Sequence, residues 1–198
     1  MRSSIRYSTT TLLTSVLILG CGIIDKKDAP PPVEYVKLSV ITPESDEALP
    51  VVITQASCTS DADTGFFSGR FTGSDGALLV VKVKGFSTSA ASYECAQASD
   101  NVDNGVGNKF DGCTVALALP DAETSVNTYA MHREVETTKA FTYGGNCSLT
   151  MSYEEPRVTG SIDCTGLVQT GLQGSPRNPI DESVTADIQM GSTFFCDL

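Results

Sequence analysis

Apolar and polar residues alternate along much of this chain. Leu79, Val81 and Val83 sit in one phase with Lys82 and Lys84 in the other; Cys113, Val115, Leu117 and Leu119 alternate with Thr114, Ala116 and Ala118. The same period of two runs through Cys147, Leu149, Met151 and Tyr153, with Ser148, Thr150 and Ser152 between them. Successive side chains of a strand point to opposite faces, so this pattern predicts strands with one buried and one wet face. Tyr35 to Ile41, Val51 to Ala56, Phe66 to Thr72, Val158 to Cys164, Val184 to Met190 and Thr193 to Cys196 read as further strands. Clusters of Gly, Asn, Asp and Pro separate most of them, which is turn chemistry. Many short strands without alternating helices predict an all-β fold, an antiparallel β-sandwich with a β-barrel as the alternative. Asp121 to Lys139 is the one stretch with room for a short helix, although its apolar positions are irregular.

The beginning of the chain follows a different pattern. Arg2 and Arg6 precede an apolar run from Leu12 to Leu19 that only Thr14 and Ser15 interrupt. This is the charged and then apolar layout of an export signal. The run is far shorter than the roughly 20 apolar residues a membrane-crossing helix needs. Ile18-Leu19-Gly20-Cys21 then resembles the lipobox of bacterial lipoproteins, with Leu19 where a small residue is usual. The resemblance covers residues 1–21 and implies cleavage after Gly20, a diacylglycerol thioether on Cys21, and anchoring in the cell envelope. Gly22 rather than Asp after the cysteine implies, by the sorting rule of enteric members, the outer membrane. Asp25-Lys26-Lys27-Asp28, followed by Pro30, Pro31 and Pro32, suits an extended tether. The expected organisation is a signal peptide at 1–20, a lipidated proline-rich tether at 21–33 and a single β domain at 34–198.

Seven cysteines are present, and six remain when Cys21 is set aside. An even number without a Cys-x-x-Cys pair, in an exported chain, predicts up to three disulfides rather than metal ligation. Cys113, Cys147, Cys164 and Cys196 fall in the apolar phase of their strands. If Glu154 to Arg157 forms a four-residue hairpin loop, Tyr153 faces Val158, and counting back places Cys147 opposite Cys164. Opposed residues bring their Cβ atoms within reach of a disulfide. Cys95 with Cys113 would then clamp the Asp- and Asn-rich segment between them, leaving Cys58 for Cys196. This is one of 15 possible connectivities.

Charge narrows the partners. The chain has 13 Lys plus Arg and 24 Asp plus Glu, a net charge of −11. Removing Arg2 and Arg6 with the signal leaves 11 − 24 = −13. Nucleic acids and anionic lipid surfaces are therefore unsuited as partners, since both are bound by neutralising phosphates with Lys and Arg. The membrane is reached through the lipid on Cys21, and an envelope protein is the expected partner.

No motif carries recognisable chemistry. Asp61-Ala62-Asp63-Thr64-Gly65 begins like a calcium loop but lacks the fifth ligand and the closing glutamate. Asp100 to Asn108, with Asp111, has enough oxygens for calcium but matches no known spacing. His132 is the only histidine and would have to serve any Ser-His-Asp arrangement, yet no Gly-x-Ser-x-Gly elbow exists. Glu154-Glu155 and Asp181-Glu182 are adjacent acids in turns, and the chain has no Trp for sugar stacking. The long connection from Thr170 to Asp181, stiffened by Pro176 and Pro179, presents Arg177 and Asn178 as a candidate recognition loop.

Gly160-Ser161 before Cys164 and Gly191-Ser192 before Cys196 echo each other. In this the domain resembles secreted disulfide-bonded β modules of bacterial lipoproteins, a resemblance that implies no activity. The expected function is non-catalytic: a lipid-anchored envelope protein with a binding or structural role and no cofactor. The alternatives are an envelope inhibitor of a basic hydrolase acting through the loop around Arg177, and a calcium-dependent adhesin or hydrolase using the Asp100 segment.

Overall fold

The computed structural model describes residues 33–97, 110–120, 126–135, 140–143, 145–170 and 184–198. Cys21, most of the tether, the segment from Asp100 to Asn108, the acids Asp181 and Glu182, and Arg177 with Asn178 lie outside the described residues.

The elements are β1 (Val36–Thr42), β2 (Ser45–Ile53), β3 (Gln55–Asp61), β4 (Phe66–Thr72), β5 (Leu78–Lys84), β6 (Ala91–Gln97) and β7 (Phe110–Pro120). They continue as β8 (Val126–Ala130), β9 (His132–Val135), β10 (Ala140–Tyr143), β11 (Asn146–Glu154), β12 (Arg157–Thr170) and β13 (Thr185–Asp197). All are strands, so the all-β expectation holds for the described residues. Among these there is no helix long and apolar enough to cross a membrane.

Hydrogen bonding joins the strands in the order β2-β1-β13-β12-β11-β6-β7-β5-β4-β3, with β8 also pairing β12 and β7; β9 and β10 form a separate pair. Every pairing is antiparallel. The two ends of this path, β2 and β3, are separated in the chain by Thr54 alone. Nine strand spacings of about 4.8 Å would hold the edges of a flat sheet roughly 43 Å apart. The two steps from Ile53 to Gln55 span at most about 7 Å. The sheet must therefore curl until its edges meet, and Phe71 of β4 lies 5.5 Å from Phe194 of β13, ring centroid to centroid, across the interior. One continuous antiparallel sheet thus supplies both facing layers.

The in-phase residues of the alternating strands line that interior. Leu79, Val81 and Val83 of β5, Val115 and Leu117 of β7, Leu149 and Met151 of β11 and Ile188 of β13 are all buried in one cluster. The buried Phe67 and Phe71 from β4 join it.

Three bridges staple the fold: Cys58–Cys196, Cys95–Cys113 and Cys147–Cys164. Tyr153 is paired with Val158 and Cys147 with Cys164, the register obtained by counting back from the hairpin. Cys58–Cys196 links β3 to β13, where the edge of the sheet comes round to its first strands.

Two local expectations are corrected. Between Asp121 and Lys139 the described residues are strand, not helix: β8 pairs β7 on one side and the end of β12 on the other. Non-local pairing on both edges outweighs the weak local preference. Val184 to Met190 and Thr193 to Cys196 belong to one strand, β13, interrupted by a bulge. Gly191 takes a φ of +92° there, a conformation that suits glycine. The buried Ser192 closes the bulge, donating to the Gln189 carbonyl at 2.7 Å and accepting the Ser39 N–H at 3.0 Å.

Candidate functional site

The outward phase of four neighbouring strands carries a series of hydroxyls. In β11 these are Ser148, Thr150 and Ser152; in β12, Thr159 and Ser161; in β13, Thr193; in β6, Ser92. Register turns them into rows. Ser92 faces Thr150, Thr150 faces Ser161, Ser161 faces Thr193 and Thr193 faces Lys37. In the next row Ser152 faces Thr159, Thr159 faces Phe195, and Phe195 packs against Tyr35. A third row places Glu154 opposite Arg157 and Arg157 opposite Asp197.

Neighbours along the rows are joined. Ser152 and Thr159 hydroxyls lie 2.8 Å apart, and Thr150 and Ser161 also share a hydrogen bond. The Tyr35 and Phe195 rings stand 5.1 Å apart at a tilt of 40°. Arg157 lies 4.7 Å over the Phe195 ring while its Nε donates to Asp197 Oδ1 at 2.9 Å and its Nη2 to Oδ2 at 3.3 Å. A planar guanidinium can stack on a ring and bind a carboxylate through two nitrogens at once. The hydrogen bond from Arg157 holds the Asp197 carboxyl below its ordinary range, and the same bond raises Arg157 further. Lys37 pairs with Glu34 at 2.7 Å at the end of the first row.

Beneath this face Gly160 provides close packing. A Cβ there would lie 2.4 Å from the Phe194 ring, which occupies the place a side chain would take. The ring covers the strand backbone from inside, and a broad, shallow groove of about 880 Å³ runs over the outside. Its lining includes Tyr35, Lys37, Ser92, Thr150, Ser152, Thr159, Ser161, Thr193 and Phe195.

The arrangement is suited to contact. It offers a dense array of hydroxyl donors and acceptors, an aromatic pair and a stacked guanidinium whose charge is already matched. The shifts at Asp197 and Arg157 both favour the charged forms.

Other sequence candidates occupy plainer places. Asp61 to Gly65 is the β3–β4 hairpin turn. The Asp61 carboxylate accepts the backbone N–H of Asp63 at 3.0 Å and of Thr64 at 3.4 Å, so it serves the turn itself. Hydrogen bonds from Thr64 and from these amides keep its carboxyl below the usual range. The backbone of His132 begins β9, and its side chain lies outside the described residues. Among the described residues no three His, Cys, Asp or Glu gather as metal ligands. Glu154 belongs to the row that ends at Asp197, whereas Glu155 occupies the hairpin turn.

Sequence reading did not single out Tyr35, Arg157, Phe195 or the hydroxyl rows. The available signal was that the wet phase of adjacent strands held Ser and Thr in place of the usual charges. Comparison with family models, with curated proteins and with solved structures finds no match.

Proposed function

We propose that this chain is a lipid-anchored protein of the bacterial cell envelope, probing no chemistry of its own and binding an envelope protein through the outer face of β6, β11, β12, β13 and β1. The observation that carries the binding role is the aromatic and guanidinium cluster of Tyr35, Phe195 and Arg157 set at the end of hydroxyl rows. Rigid aromatics and Arg supply most of the energy at protein interfaces, and small hydroxyl side chains supply adaptable hydrogen bonds. Five strands and three rows cover roughly 24 by 20 Å, or about 490 Å² in projection. That is about three-fifths of the roughly 800 Å² that each side contributes to an interface of standard size. The anchor rests on Arg2, Arg6, the apolar run to Leu19 and the Gly20-Cys21 junction.

The test uses full-length protein in its producing cells with a photo-crosslinking residue at Thr193, alongside a fatty-acid label for lipid on Cys21. The expected result is label on Cys21 and one dominant protein adduct. Both the Cys21→Ser change and a Thr150→Arg change, which places a bulky cation in the middle of the face, should abolish the adduct. Label absent from Cys21 refutes the anchor. An adduct that survives Thr150→Arg, or none at all, refutes the binding face.

A further inference from the structure

A second recess opens at one end of the curled sheet, away from the hydroxyl face. It has a volume of about 330 Å³ and lies among the β1–β2 turn, β2, the β4–β5 turn, β7 and β8. About eleven waters at bulk density would fill that volume, which is at the small end of the range for ligand pockets. Part of its wall is apolar, with Leu49 on β2 and Leu119 on β7. Leu49 is 44% exposed although it stands in the inward phase with the buried Ile53, so the sheet leaves apolar surface uncovered at this mouth.

The polar groups in the recess differ in how they are used. Asn127 is engaged, accepting a hydrogen bond from the Gln169 amide at 3.3 Å. Tyr129 is 1% exposed, lines the recess, and has no hydrogen bond to its hydroxyl among the described residues. Burial is the main reason its phenol is pushed up to about 12, and the charge of Glu44 adds to this. Glu44 is therefore close enough to act on the phenol electrostatically. Asp75 also lines the recess, and its Oδ1 accepts the Ala77 N–H at 3.0 Å. Neither carboxylate has a Lys or Arg partner among the described residues.

A half-open recess with an apolar wall, a nearly buried tyrosine whose hydroxyl has no partner among the described residues, and two carboxylates in its lining selects by charge. A carboxylate or phosphate ligand would face Glu44 and Asp75 at close range, whereas an ammonium would be attracted by both. We propose that this mouth binds a small amphipathic amine. Its apolar body lies between Leu49 and Leu119, and its ammonium donates to the two carboxylates and to the Tyr129 hydroxyl. The site is independent of the envelope partner and of the lipid anchor.

The test is NMR titration of the full chain, held in nanodiscs, with phenethylammonium, its neutral counterpart phenethyl alcohol and the anion phenylacetate. Phenethylammonium should shift the amide signals of Leu49, Ala77 and Leu119 and bind about five-fold or more tighter than the alcohol, as two partly screened carboxylate contacts would give. Phenylacetate should bind weakest. Glu44→Gln combined with Asp75→Asn, both exposed positions, should erase the preference for the amine over the alcohol, and Leu49→Arg should close the mouth to all three. The proposal is overturned if the alcohol or the anion binds as well as the amine, if the preference survives loss of both carboxylates, or if no probe shifts these signals.

Discussion

Replacing Cys58 and Cys196 together by Ala should destabilise the protein more than replacing either of the other pairs. A bridge restricts the unfolded chain in proportion to the logarithm of the loop it closes. Cys58 and Cys196 are 138 residues apart, against 18 for Cys95–Cys113 and 17 for Cys147–Cys164. The loop-closure relation then assigns about 5 kcal/mol to the long bridge and about 3 kcal/mol to each short one. The two short loops lie inside the long one and shorten its free path to roughly a hundred residues, which lowers its share only to about 4.7 kcal/mol. A domain of this size has a net stability of about 5–15 kcal/mol, so the long bridge alone accounts for a large part of it. The folded state gives the same ranking. Cys147 and Cys164 sit on strands already held side by side by a full antiparallel ladder, whereas β3 and β13 do not pair with each other. Urea unfolding of the wild type, the Cys58→Ala/Cys196→Ala form and the Cys147→Ala/Cys164→Ala form, followed by far-UV circular dichroism, measures the difference. Equal losses, or a greater loss for the Cys147 pair, would refute the reasoning from loop length.

Two further outcomes follow from single positions. Gly112 has a φ of +65°, and a Cβ there would lie 2.1 Å from the Glu94 carbonyl oxygen, while Gly85, at +73°, has open space around it. Gly112→Ala should therefore cost about 3 kcal/mol or more, because backbone atoms must move, and Gly85→Ala only about 1 kcal/mol for the left-handed conformation; thermal melts compare them, and equal shifts would contradict the contact argument. At the Arg157–Asp197 pair, Arg157→Met should return the Asp197 carboxyl upward toward its ordinary value, read by NMR titration of side-chain carboxyl carbons. Because the folded carboxyl is depressed, the pair's contribution is present above the unfolded carboxylate pKa and is lost as pH falls through the folded one. Both groups are well exposed, so Tm at neutral pH should scarcely change.

The alternation of Leu79 to Val83, Cys113 to Leu119 and Cys147 to Tyr153 was enough to establish strand after strand and to say which side chains would be buried. It also placed Cys147 against Cys164, since both lie on one hairpin and a short turn transmits its register along both arms. The candidate face was only half legible. Ser148, Thr150 and Ser152 were visible as a polar phase, but their alignment with Ser92, Thr193, Lys37 and Phe195 was not. These residues come from strands far apart in the chain, and nothing local to Thr150 indicates that β6 will pair with β11.

What the sequence alone determined about this protein is the face each residue takes within its own strand, because side-chain direction depends only on the two-residue repeat of the backbone. Only the tertiary structure decided which strands are neighbours, that β8 is a strand wedged between β7 and β12, that β13 bends at Gly191 without ending, and that the sheet's edges meet beside Thr54. Those outcomes depend on one interior being filled by all the strands at once. The full hydroxyl rows and the recess at Tyr129 exist only after that choice is made, since each draws on strands from several separate parts of the chain.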